Sequence, residues 1–212
     1  WLLEGRETVD GTRHCYGHAF VVLAGARAAQ AGIEGGRATL ERAARVMDER
    51  FWEPSTGLYA DEASADWTDL SGYRGLNANM HACEALLAAG QATDEPHYLE
   101  RAATIADQVT RGLADDRGRL WEHYTERWTP DMEYNRETPA HTFRPWGYQP
   151  GHHAEWAKLL GVLYEHEGSE WALERAGELF ETALEIGWDE THGGLFYTVD
   201  RDDEPVVADK YS

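Results

Sequence analysis

The residues best placed to do chemistry lie in PWGYQPGHHAEWAKLL, residues 145–160. Pro150-Gly151 is a turn signal that exposes the first turn of the helix after it. His152 and Glu155 stand at i and i+3 on that turn, where they can hydrogen-bond each other or a shared ligand. A neutral imidazole beside a carboxylate is suited to taking up and returning a proton near neutral pH. The alternative is a helix start with polar residues near solvent. His153 points elsewhere on the helix and is assigned no direct role. Arg144 and Trp146 immediately precede the turn. A guanidinium and an indole beside a histidine make a platform for a sugar ring.

A second group lies in RGLNANMHACEAL, residues 74–86. Asn77, His81 and Glu84 fall at i, i+4 and i+7 and share one helical face. Three polar groups on one face of an Ala/Leu-rich helix are costly to bury unless paired or set against a polar ligand. A solvated face is the alternative. In TRHCYGHAF, residues 12–20, Tyr16 and Phe20 share one face and His14 and His18 another. Tyr16 is either a hydroxyl for a ligand or a core tyrosine. No HExxH or paired-cysteine pattern is present, so no metal is expected. Phosphate loops, dinucleotide fingerprints and GxSxG are absent as well.

These residues must be held by helices. Periodic apolar stretches occur in pairs, and three aromatic, turn-bearing excursions separate or follow them: RFWEPSTGLYADE, LADDRGRLWEHYTERW and GWDETHGGLFYTVDRDDEP. The spacing between copies is unequal, and the extra length falls in residues 129–150, a long loop of the kind that is often functional. Stacked helix pairs bury their apolar stripes against neighbouring pairs, in an open solenoid or a closed ring. The tryptophans and tyrosines of the excursions favour the ring, whose loops converge on an aromatic cavity. The expected fold is all-α, an (α/α)6 toroid or barrel of helical hairpins with short β-hairpin excursions. Three pairs make only a partial barrel, and VVADKYS stops where another helix could begin. Residues 1–212 are therefore expected to be a single toroid domain, incomplete at both ends.

Composition narrows the partners. Apolar residues make up 42% of 212, enough for a domain with a real core. No apolar run approaches the roughly 18 residues of a membrane span. The net charge of −20 speaks against nucleic acid, which is bound by basic surfaces, and against anionic membranes. Cys15 and Cys83 sit far apart among apolar neighbours. Buried free thiols fit a reducing compartment, so the expected location is the cytoplasm.

YRGLNANMHACEALLAA (73–89), PAHTFRPWGYQPGHHAEWAKLL (139–160) and GGLFYTVDRDDEPVV (193–207) resemble the N-acylglucosamine 2-epimerase superfamily, most of all its aldose–ketose isomerase branch of mannose isomerase-like and sulfoquinovose isomerase-like enzymes. The match runs along nearly the whole chain in order. It implies an (α/α)6 barrel that isomerises a free reducing monosaccharide, mannose to fructose in type, without metal or redox cofactor. Carried over by motif, His152 moves the proton and Glu155 supports it. Asn77 and His81 bind sugar hydroxyls or assist ring opening, Tyr16 contacts substrate, and Arg144 and Trp146 lie in the matching loop. The family's second catalytic histidine, from its C-terminal third, and an arginine from an earlier helix have no counterpart here, so these residues alone are expected to show little or no activity. The rival readings are a 2-epimerase on the same scaffold, an α/α-toroid glycoside hydrolase or lyase drawing on carboxylates such as Asp131 and Glu133, and a sugar-binding fragment without chemistry. The oligomeric state is left open.

Lys158 and Lys210 are the only lysines against seventeen arginines. An acidic, lysine-poor surface suits high salt, where screening relieves self-repulsion; a GC-rich genome would give the same bias. If salt adaptation is the cause, the thermal midpoint falls steeply as salt is removed. A midpoint that ignores salt eliminates that explanation.

Overall fold

The computed structural model describes residues 2–4 and 7–210. Its elements are β1 (Leu2–Glu4), β2 (Glu7–Asp10), β3 (Arg13–His14), α1 (Cys15–Gln30), α2 (Gly36–Arg50), β4 (Trp52–Glu53), β5 (Leu58–Tyr59), β6 (Glu62–Ala63), β7 (Tyr73–Gly75), α3 (Leu76–Thr93), α4 (Pro96–Asp107), a π-helical turn (Gln108–Gly112), β8 (His123–Thr125), α5 (Pro150–Glu167), α6 (Glu170–Gly187), β9 (Thr198–Val199) and β10 (Pro205–Val207). The expected all-α class of helical pairs with short β excursions is what forms. Among the described residues there are three pairs, half of what an (α/α)6 ring holds. The final two residues of VVADKYS, Tyr211 and Ser212, lie outside the described residues. No helix among those described is long and apolar enough to cross a membrane. The recurring excursion glycines have one physical cause. Gly57, Gly118 and Gly194 have φ of 72°, 75° and 80°, a region that strains residues with a Cβ.

Contacts divide the chain into two compact units, Trp1–Ile105 with Thr125–Arg127 and Ala106–Tyr124 with Trp128–Ser212. In the first, α1 packs against both α2 and α3. The α1–α2 crossing is tight: a Cβ on Gly25 would lie 2.6 Å from the Leu40 backbone nitrogen, and one on Gly36 2.5 Å from that of Ala29. α4 lies on α3, with Leu99 against Gly90 and the Ala102 carbonyl 3.7 Å from Cys83 Sγ. Both cysteines are free and buried. From Leu76 to Gly90 every residue of α3 is buried except Asn77, His81 and Glu84. The polar face expected from spacing is thus the one open face of a core helix.

The excursion β4–β5–β6 fixes where α1 and α3 begin. The Asp61 carbonyl accepts the Cys15 N–H at 2.8 Å, and its carboxylate accepts the Gly75 N–H at 2.6 Å. Those amides open the two helices, where no intrahelical acceptor exists. Asn79 takes the Tyr59 N–H on Oδ1 at 2.8 Å and returns Nδ2–H to the Tyr59 carbonyl at 2.9 Å. Arg74 grips Glu53 through two parallel bonds of 2.6 and 3.0 Å, the geometry that makes such pairs strong.

In the second unit α5 and α6 pack along each other. Their junction is close, since a Cβ on Gly187 would lie 2.3 Å from Pro150 Cβ. Tyr148 and Val199 exchange backbone hydrogen bonds of 2.8 and 3.0 Å just before α5. The long loop is stitched to itself: Trp146 Nε1 donates to the Met132 carbonyl at 2.7 Å, and Asn135 Nδ2 to that of Arg144 at 2.7 Å.

The two asparagines of LNANMH therefore have separable duties. Asn79→Ala strands a buried N–H and a buried C=O of Tyr59, at about 1–3 kcal/mol for each stranded group. Half-buried Asn77 should tolerate alanine with far less loss. Chemical denaturation of the two variants measures the difference, and equal stabilities would refute the division.

Candidate active site

α5 starts at Pro150, after Gln149 in extended conformation (φ −106°, ψ 103°). Proline at the first helical position lacks only an N–H that would have had no partner, and its φ is already helical. His152 and His153 follow on this turn, but successive residues of a helix point in different directions. His153 is fully buried. Its Nε2 accepts the Leu120 N–H at 3.0 Å, and its Nδ1 lies 2.8 Å from the Gln149 carbonyl. A backbone amide can only donate, so Nε2 is the bare nitrogen and Nδ1 carries the hydrogen. Burial drives its pKa down to about 4.

His123, at the start of β8, is a second neutral clamp. Its Nε2 meets the Pro145 carbonyl at 2.7 Å, and burial lowers its pKa. Its ring lies 4.9 Å from that of Tyr134, so it holds the long loop.

His152 goes the other way. Its Nδ1 lies 2.9 Å from Glu122 Oε2, with the imidazole 19% and the carboxylate 2% exposed. Burial opposes the imidazolium, but the charge of Glu122, the hydrogen bond to it and the charge of Glu155 together outweigh burial and raise the pKa above the ordinary value. The carboxylate accepts from Nδ1–H, and Nε2 is left to take and give a proton. The partner of His152 is thus Glu122, thirty residues earlier. Glu155, expected from the i,i+3 spacing to share a hydrogen bond, is half-buried and acts on His152 through its charge. Glu122 was not legible from spacing. Its neighbours Trp121 and His123 turn to Trp146 and Tyr134 of the loop, while Glu122 between them turns to α5. Its Oε1 is buried with no hydrogen-bond partner among the described residues. Such an atom costs free energy that folding alone does not repay.

In the other unit, Tyr16 and Phe20 of α1 meet edge to face at 6.4 Å, and the Phe20 ring lies 4.7 Å from that of His81. Tyr16 is 37% and Phe20 44% exposed. His81 Nδ1 stands 3.6 Å from Glu84 Oε2, too long for a hydrogen bond, and is buried without one. The structure thus brings Tyr16, Phe20, His81 and Glu84 into one strip, with Asn77 one turn earlier on α3. His18 lies on the opposite face of α1, its ring packed on Phe51 and Trp67, while His14 belongs to β3, where its Nδ1 meets Glu62 at 3.1 Å and its ring lies 5.5 Å from that of Tyr16. Arg144 and Trp146 are employed inside the long loop, Arg144 donating to the Tyr134 hydroxyl at 3.0 Å.

The chain is similar to known proteins along its whole length. D-mannose isomerase of Marinomonas mediterranea is 45% identical over 213 residues, which cover 100% of this chain and 54% of that protein. D-mannose isomerase of Thermobifida fusca is 42% identical over 214 residues, 98% of this chain and 52% of that protein. A crystal structure of a D-mannose isomerase matches with a TM-score of 0.96 at 45% identity, over 100% of this chain and 55% of that one. The chain spans about half the length of the curated relatives it matches. The family model of N-acylglucosamine 2-epimerase (GlcNAc 2-epimerase) matches residues 1–212. Matched from end to end, and carrying the PGHHAEW turn and the NANMH face where helices begin, the chain belongs to the N-acylglucosamine 2-epimerase family.

Proposed function

We propose that the chain carries the proton-transfer side of an aldose–ketose isomerase that converts D-mannose to fructose, with His152 as the group that moves the proton. The observation that carries this reading is the buried His152–Glu122 pair; the relatives' names supply the sugar. In an opened aldose the C2–H is acidic because it adjoins the C1 aldehyde. Neutral His152 takes that proton on Nε2 while O1 takes a proton from water, and a cis-enediol forms. The imidazolium, stabilised by Glu122 and Glu155, then returns its proton to C1 while the O2–H proton passes to water, leaving a ketone at C2 and neutral His152. No hydride or electron moves, so the reaction asks for no redox cofactor.

His81 and Asn77 serve ring opening and the sugar hydroxyls, and Tyr16 offers its hydroxyl to the substrate. Arg144 and Trp146 reach it only through the long loop. The substrate class is a free monosaccharide. Two free thiols favour the cytoplasm as the compartment. A 2-epimerase would need a second acid/base group on the opposite face of C2, and product identity separates the two.

Proton NMR of D-mannose in D2O, with this chain carried in a protein of its relatives' full length, tests the reading. Fructose carrying deuterium is expected; glucose without a fructose phase would mean epimerisation. His152→Ala should lower turnover by about 10²–10⁴-fold with the circular dichroism unchanged, and activity within a few-fold of wild type would remove His152 from the role.

The pH dependence has a fixed sign. His152 must be neutral to act as a base, and its pKa is raised, so kcat/KM falls as pH drops through that raised value. Glu122→Gln removes the opposing charge and should carry the acid limb to lower pH. An acid limb that stays in place would mean that Glu122 does not set it.

A further inference from the structure

We propose that His153 is a positioning residue: by accepting the Leu120 N–H on Nε2 and donating Nδ1–H to the Gln149 carbonyl, it locks the segment that carries Glu122 to the helical turn that carries His152. This rests on the reading of His152 as the proton-moving group. Both ends of the His152–Glu122 hydrogen bond hang from this one ring. Leu120 is two residues before Glu122, and His152 directly precedes His153. The clamp bonds are 3.0 and 2.8 Å, and the bond that they position is 2.9 Å.

An apolar side chain would fill the volume of a fully buried residue without needing two polar partners. A histidine there supplies something else, a donor and an acceptor on opposite sides of a rigid ring. The two aim at backbone groups twenty-nine residues apart. Because the acceptor nitrogen faces an N–H, the ring works only as the neutral Nδ1–H tautomer. That excludes it from proton transfer and separates its duty from that of its neighbour. Displacements of about 1 Å around reacting groups cost on the order of 10²-fold in rate, so a clamp this close to the base has a kinetic consequence without touching the sugar.

Nitrogen-15 NMR of the labelled protein tests this without any sugar, so failure of the proposed isomerisation and failure of the clamp are distinguishable. Wild type should show a coupling across the hydrogen bond between the Leu120 amide nitrogen and His153 Nε2, an Nδ1–H tautomer at His153, and a single Nδ1–H tautomer at neutral His152. In His153→Leu the His152 titration should move down and its tautomers should mix, while His153→Gln, whose side-chain oxygen can accept the Leu120 N–H, should restore the wild-type signature in part. For mannose turnover, His153→Leu should lower kcat by at least about 10-fold with KM little changed. A missing coupling or an Nε2–H tautomer at His153 in the wild type overturns the proposal. So does an unchanged His152 signature in folded His153→Leu. Should that variant not fold, His153→Asn, whose short amide cannot span both partners, takes its place in the same comparison, and the wild-type coupling remains decisive by itself.

Discussion

A carboxylate hidden from water, 2.9 Å from the imidazole of His152, is the constraint around which the α5 side of the molecule is built. Burying a charge pair is expensive, and attraction repays it only when the geometry is good. The location adds to the expense. His152 sits in the first turn of α5, where the partial positive charge of the helix N-terminus disfavours an imidazolium. Desolvation disfavours it too, yet the pKa is raised. Glu122 therefore has to outweigh burial and helix together, with help from Glu155. It can do so only if it is held at hydrogen-bond distance, which makes the loop segment from Leu120 to Glu122 as consequential as the helix it faces.

The first unit solves a related problem with different residues. Asn77 lies in the first turn of α3 and Tyr16 in that of α1, and first turns fray unless their amides find acceptors. Asp61 supplies both acceptors, one from its carbonyl and one from its carboxylate. Asn79 and the Arg74–Glu53 pair then lock the hairpin to α3. The excursion around Asp61 is thus a clamp on two helix starts, and Tyr16 and Asn77 sit on the starts that it clamps. The left-handed glycines of the excursions let the chain reverse within a few residues.

Helical periodicity and repeated turn glycines made the pairs and their order legible in the sequence, because both signals are local. The face of Asn77, His81 and Glu84 was legible for the same reason, since i, i+4 and i+7 determine a face before any tertiary contact exists. Glu122 was hidden because its partner lies thirty residues away, and nothing in LWEHY marks the middle residue as the one that turns to α5. The division of labour between His152 and His153 was hidden too. Adjacent histidines look alike in a sequence and differ only in what their rings meet. Arg144 and Trp146 read as a platform because they precede the turn, while the structure gives them bonds within the loop.

The net charge of −20 would, if spread evenly, raise every histidine. It does not. His153 and His123, deep in the second unit, are pulled down by burial despite the acidic chain around them, while His152 in the same unit is raised. The difference lies in the last few ångströms: His153 and His123 spend their hydrogen bonds on backbone groups, and His152 meets a carboxylate. Surface charges beyond about 10 Å are largely screened at moderate salt, so composition informs solubility and little else about this site. What sets His152 apart from His123 and His153 is the identity of a single acceptor, a carboxylate in place of a backbone carbonyl.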